Sequence, residues 1–365
     1  MSLLHQMALT YIPGVGNVIG KKLMAVCGSA EAVFTEKKSA LLKAERVGEL
    51  IVNSIMQHRI LALEKAAKEL EFIQRYKIKT LFYTDKDYPS RLKECVDGPI
   101  LVYFKGNANL NHPRIVAVVG TRRATHYGKE MCEKIIEGLK NLDVLVVSGL
   151  AYGIDTYAHK TALDRGLQSI AVLAHGLDRI YPPLNKSLAE RMLNQGGLLS
   201  DFPSGTNPDR ENFPARNRII AGIADATIVI ESGLKGGALI TAEIANSYNR
   251  DVFSVPGNIG NYYSEGCNFL IKSNRAALLQ SAEDIKYIMN WGEPVKNKVV
   301  QRKLMIELSP EQEKIVEVLK NNAEASIDRL CNETAISPAL VANALLNLEF
   351  EGIIKTLPGK MYKLV

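Results

Sequence analysis

The sequence lacks the features that would place it in a membrane or an oxidising compartment. Its 365 residues contain no run of about 18 apolar residues. Its start, "MSLLHQMALTYIPG", has none of the basic-then-apolar layout of a secretion signal. Both absences lead to the expectation of a cytoplasmic protein with no membrane partner. Cysteine is sparse: the five are odd in number and never form a C-x-x-C pair, so neither a disulfide framework nor a zinc site is expected. The six histidines show no H-E-x-x-H or other metal spacing, and there is no G-x-S-x-G elbow. No metal, cofactor or catalytic residue is therefore nominated. No fixed-period repeat or low-complexity tract interrupts the chain.

What is present is an ordinary globular composition, 47% hydrophobic and 23% charged, long enough for two or three cores. The net charge of +6 is unevenly spread. Residues 309–365 carry 6 Lys or Arg against 8 Asp or Glu, which leaves 39 basic and 31 acidic residues in 1–308. A polyanion is expected to dock on the first part.

Patterning divides the chain into four stretches. Residues 1–78 read as small helices, with "IPGVGNVIGKK" resembling a helix-hairpin-helix. From 79 to 290, apolar runs ("IVAVV", "DVLVVS", "SIAVLA", "GLLSDF", "ATIVIE", "DVFSVP", "AALLQ") alternate with amphipathic segments, which implies an α/β fold with a mainly parallel sheet. A polar linker is expected over 291–308. Residues 309–365 give three helices and a two-stranded wing, the pattern of a winged helix. Its presumed recognition helix, "SPALVANALLNL", has no charged residue, so it is expected to be an interaction module and not a reader of duplex DNA.

Glycine follows five of the apolar runs, at Gly120, Gly149, Gly176, Gly233 and Gly257. In open α/β sheets ligands bind beyond the carboxyl ends of the strands, so these positions define a candidate binding edge. The first turn, "VVGTRRATHYGKE", has neither G-x-G-x-x-G nor a P-loop. It offers instead the Gly120 and Thr121 amides, Arg122 and Arg123, and then a helix N-terminus. Two readings stay open for the arginines: they grip phosphates, or they pair with carboxylates of a neighbouring loop.

"DRENFPARNRIIAGIAD" adds Phe213, Arg216, Asn217 and Arg218. Pro214 is taken as the first helical position, which puts both arginines in a first turn where the helix dipole disfavours cations. Arg216 lies on the inward stripe with Ile219, Ile220 and Ile223, whereas Arg218 points away from it. Pairing with Asp209 or Glu211 is the alternative. "ESGLKGGALITAE" supplies Lys235 and the open amides of Gly236 and Gly237. Tyr127, Tyr152, Phe202 and Phe213 are turn or helix-start aromatics able to stack on bases, which suits a single strand better than a duplex. Glu243 could serve as an acid or base, or simply as a helix-face carboxylate.

These residues, with "YPSRLKECVDGPILVYFKGN", "VVSGLAYGIDTYAHKTAL", "AVLAHGLDRIYPPLN", "DFPSG" and "VPGNI" in order, closely resemble the DNA-processing protein A (DprA/Smf) family over about residues 80–290. The helix-hairpin-helix or SAM-like domain is read from the sequence of 1–78 itself. The resemblance implies an extended Rossmann-like domain after it. It implies a homodimer that binds and protects single-stranded DNA and assists loading of the RecA recombinase in natural transformation, without catalysis. Family DNA contacts map onto Gly120, Thr121 and Arg122, and onto Phe213, Arg216, Asn217 and Arg218. The chain departs from the family at "NRAALL", where Gly-Ala is usual. A competing reading is an enzyme: "GGALITAE" faintly resembles the active loop of LOG-type phosphoribohydrolases. Glu243 stands at the catalytic position there, but Leu239 and Ile240 replace the Gly-Thr pair.

Overall fold

The computed structural model describes residues 2–292, 308–322 and 324–365. Most of the linker expected over 291–308 lies outside the described residues.

The centre is a nine-stranded sheet: β1 (Lys79–Phe82), β2 (Leu101–Gly106), β3 (Ile115–Val119), β4 (Leu145–Ser148), β5 (Ser169–Val172), β6 (Gly196–Ser200), β7 (Ala226–Val229), β8 (Asp251–Ser254) and β9 (Ala277–Leu278). Its spatial order is β1-β2-β6-β5-β4-β3-β7-β8-β9. β3 to β9 run parallel with their neighbours, whereas β1 and β2 add an antiparallel edge. β3, β4, β5, β6 and β7 are buried along their whole length because helices cover both faces. One face packs Ile219, Ile220 and Leu239 against Ala117, Val147 and Ile170. The other packs Cys132, Ile135 and Ala158 against Val116, Val118 and Ile228.

The antiparallel edge was not among the strands expected from apolar runs. β1 contributes only "KTLF", with Lys79 exposed, and β2 divides its side chains between two cores. Leu101 and Tyr103 join the N-terminal helical cluster, while Val102 and Phe104 face the sheet's core. This alternation fastens the N-terminal helices, including Glu49–Arg75, onto the sheet.

The chain winds outward from β3 through β4, β5 and β6, then returns to β7 on the other side of β3 and continues to β8 and β9. The winding therefore reverses between β3 and β7, and the crevice at their carboxyl ends is where such sheets hold ligands.

The C-terminal unit has helices Pro310–Asn321, Ile327–Thr334 and Pro338–Phe350 around a separate cluster containing Ile315, Leu330 and Leu345. Ser309 and Gln312 form a capping box at the expected Ser-Pro start. β10 (Ala325–Ser326), β11 (Ile354–Leu357) and β12 (Met361–Leu364) form a sheet of order β10-β12-β11, one strand more than the wing expected from sequence.

Candidate nucleic-acid interface

At the β3/β7 reversal a recess of about 300 Å³ opens. Gly120, Thr121 and Arg122 enter it from the end of β3, and Lys235, Gly236 and Gly237 from the turn after β7. Phe213, Arg216 and Asn217 enter from the helix Asn212–Ile223. Three segments, the first about ninety residues of sequence or more from the other two, thus share one crevice.

The Thr121 turn is fixed by main chain. Thr121 donates N–H to the Glu231 carbonyl (2.8 Å), and Ile154 donates to the Thr121 carbonyl (3.1 Å). Gly153 sits beneath it at φ +77°, where a Cβ would strike the Thr121 carbonyl and the Arg122 backbone. The turn thereby projects Arg122 outward. Its guanidinium carbon lies 5.2 Å from the centroid of the Phe213 ring, and the Arg216 guanidinium carbon lies 6.0 Å from the same ring. Tyr181 flanks Phe213 at 6.1 Å.

The arginines divide sharply in environment. Arg122 and Arg123 are exposed, and among the described residues their guanidiniums have no ion pair or hydrogen bond, so the internal-carboxylate alternative does not hold for them. Arg216 is only 4% exposed and donates to the carbonyls of Gly149 (2.6 Å) and Val172, which end β4 and β5. Burial lowers its pKa to about 10, against the pull of nearby Asp155, so it remains a cation at neutral pH. Arg218 pairs with Asp201 and donates to the Asp97 carbonyl. Neither arginine pairs with Asp209 or Glu211. The helix begins at Asn212, two residues before Pro214, so both arginines sit two residues deeper, past the first turn where the sequence pattern places them.

The two helix N-termini at the crevice also differ. The one following Arg123, at His126–Leu139, was expected to add an open dipole, but Glu231 already occupies it. Its carboxylate accepts from the Thr125 N–H (3.0 Å) and from the Thr125 hydroxyl. Gly128 must lack a side chain because that carboxylate lies against its Cα. The helix Gly237–Ser247, in contrast, has Gly236 at its N-cap and no side-chain cap. The Gly236 N–H, expected to be open, donates instead to the Gly233 carbonyl (2.9 Å), which leaves the Gly237 amide at the edge of the recess. Lys235 beside it has no ion pair among the described residues.

A buried polar network holds the β4 turn in place. Asp155 accepts from the amides of Gly149 (3.1 Å) and Ala151 (3.4 Å), and burial raises its pKa despite Arg216. His159 Nε2 accepts from Leu150 N–H (3.3 Å), a residue held at φ +55°, and its Nδ1 contacts the Ser169 hydroxyl (2.8 Å). Burial first, and Arg216 second, depress the His159 pKa to about 3. This imidazole is neutral and structural.

Of the remaining nominated residues, Tyr127 lies outside the recess with its hydroxyl donating to the Pro256 carbonyl (2.6 Å), and Arg123 lines a neighbouring surface. Glu243 pairs with Arg275 on the outer face of its helix. In the N-terminal hairpin, Lys21 donates to the Cys95 carbonyl (3.1 Å) and Lys22 pairs with Glu45 (2.8 Å), so both cations serve packing. Sequence reasoning missed Ser232, Tyr262 and Tyr263, which complete the wall of the recess. The two tyrosines follow Gly257 at the end of β8, so the same strand-end logic could have found them.

Fold and site together define a doubly wound α/β protein with a crevice lined by arginine and lysine at its topological switch point, followed in sequence by a winged helix. Comparison with known proteins narrows this class. Residues 79–290 match the family described as DNA recombination-mediator protein A, and 304–360 match the DprA winged helix domain. Protein Smf of Synechocystis is 32% identical over 98% of both chains. The DNA processing protein DprA of Streptococcus pneumoniae is 38% identical over 69% of this chain and 95% of its own. The X-ray structure of the latter protein aligns with TM-score 0.69 over 79% of this chain and 98% of that one. A Helicobacter pylori DprA structure, described by its single-stranded DNA binding mode, aligns at TM-score 0.53 and 28% identity over 58% of this chain and 95% of that one. The chain belongs to the DprA/Smf family of DNA-processing proteins.

Proposed function

We propose that this protein binds single-stranded DNA at the switch-point recess, protects it, and assists its transfer to the RecA recombinase in the cytoplasm during natural transformation or recombination. The observation that supports this most is that free cations meet an uncapped helix start: Arg122, Lys235 and Gly237 line one crevice with an aromatic floor at Phe213. Guanidinium, ammonium and amides suit successive phosphates, and Phe213 offers a face to a base. Arg216 and Asn217 hold the floor, Arg123 and Tyr127 border the approach, and Arg218 anchors the helix from behind. The similarity to the Helicobacter protein points in the same direction.

On this reading the functional divisions are 1–78, 79–290, a linker at 291–308 and 309–365. A homodimer is part of the proposal: β9 is an edge strand, and Leu278 and Phe269 are exposed beside it. The phosphoribohydrolase reading loses its key residue, since Glu243 is bonded to Arg275 and does not line the recess. The deciding experiment is a competition of single-stranded against duplex DNA at two salt concentrations, with light scattering for the dimer. Single strands should win, with a log-log salt slope of about −0.7 per phosphate held. Equal affinity for both forms rejects the proposal.

A further inference from the structure

Beyond Arg122 the surface does not end. A second, shallower recess of about 440 Å³ is lined by Arg122, Arg123, Lys129, Tyr152, Gly153 and Tyr157 together with Ala124. It shares Arg122 with the switch-point crevice, and a small cleft walled by Arg122, Tyr152 and Phe213 joins the two. Three cations and two tyrosines line it, and no carboxylate does. The Lys129 ammonium rests 5.0 Å from the centroid of the Tyr157 ring, which holds it over the recess without neutralising it. Among the described residues neither Lys129 nor Arg123 has an ion pair. The nearby Glu133 and Glu137 are drawn away by Arg165. Tyr152 is 43% exposed, with a free aromatic face.

We propose that this recess between the helices His126–Leu139 and Ile154–Asp164 is a second nucleotide subsite. It takes about two further nucleotides of the strand that leaves the crevice over Arg122. Lys129 and Arg123 hold their phosphates, and a base stacks on the tyrosines. The inference rests on the single-strand reading of the first recess. It gives the strand a path, between the uncapped helix at Gly237 and Lys129, across Phe213 and Arg122.

The test is affinity against length for oligo-dT of four to twelve nucleotides, read by fluorescence anisotropy, with melting curves as a check on folding. Lys129→Gln and Tyr157→Leu, which keeps the apolar packing, should bind the shortest oligonucleotide like the parent. Their affinity should then stop rising about two nucleotides earlier, ending about tenfold weaker on the longest for Tyr157→Leu. Lys129→Gln should flatten the salt slope by about 0.7 on the longest only. In the parent, 5-iododeoxyuridine at successive positions should photocross-link to Tyr152 or Tyr157 at one end of the strand. Variants that follow the parent at every length, together with no such cross-link, overturn the subsite. If Arg122→Ala weakens every length while those results hold, only the subsite fails; if Arg122→Ala changes nothing, the crevice reading fails with it.

Discussion

At the scale of single residues, identical side chains do opposite jobs. Arg122 stands in solvent over Phe213, while Arg216 is buried with its donors spent on the carbonyls that end β4 and β5. Arg216→Ala would strip those carbonyls of their donor and leave the Asp155 carboxylate without its cation. Breaking a buried charge arrangement in this way should cost about 3–5 kcal/mol in urea unfolding. Arg122→Ala should leave stability within about 0.5 kcal/mol, yet weaken single-strand binding and flatten the salt slope by about 0.7. Matching stability losses in the two variants would reject this division of labour. His159 gives a pH signature. Its folded pKa, about 3, lies below the ordinary 6.5, so between those values the unfolded chain binds the extra proton. The fold accordingly loses about 1.4 kcal/mol per pH unit as pH falls below 6.5, and nothing from this group above it. The raised pKa of Asp155 acts in the opposite sense, but it is common to parent and variant. His159→Gln, which keeps an acceptor for Leu150, should therefore narrow its stability gap from the parent by about 2 kcal/mol between pH 7.5 and 5.0. A constant gap would mean that the imidazole is not held neutral.

At the scale of elements, the parallel strands were legible because strands buried on both faces must be continuous apolar runs, as "IVAVV" and "DVLVVS" are. β1 and β2 were not legible, since Lys79 is solvent-facing and Leu101 and Tyr103 are apolar for the sake of a different core. The candidate site was legible in two of the five strand-end glycines, Gly120 and Gly233, and in Arg122, Phe213 and Lys235; Gly149 lines only the adjoining cleft, and Gly176 and Gly257 line neither. It was illegible wherever a distant partner decides the outcome. Nothing in "GTRRATHYG" reveals that Glu231, more than a hundred residues on, fills its helix N-terminus. Nor does "FPARNR" show that Asp201 and the Gly149 carbonyl claim its arginines. The same packing of turn on turn makes Gly153 a sharp test. Alanine there adds left-handed strain to a collision with the Thr121 carbonyl, so Gly153→Ala should destabilise by more than about 1 kcal/mol. It should also weaken single-strand binding by moving Arg122. A variant keeping both stability and affinity would show that the turn does not depend on this contact.

At the scale of the whole molecule, charge separates the proposed binding surface from the C-terminal unit. Residues 309–365 carry the net negative share, and they fold around their own cluster. The exposed face of Pro338–Phe350 presents Leu340, Leu346 and Phe350, with no cation along the helix. A helix entering the major groove needs Arg or Lys for phosphates and base edges, whereas an apolar face of this kind suits a protein partner. If the crevice and its flanks supply the phosphate contacts, removing residues 293–365 should leave the single-strand dissociation constant within about twofold of the parent and its salt slope unaltered, because each lost phosphate contact would subtract about 0.7 from that slope. A slope that flattens on truncation, or duplex affinity that disappears with these residues, would instead assign the winged helix a direct hold on DNA.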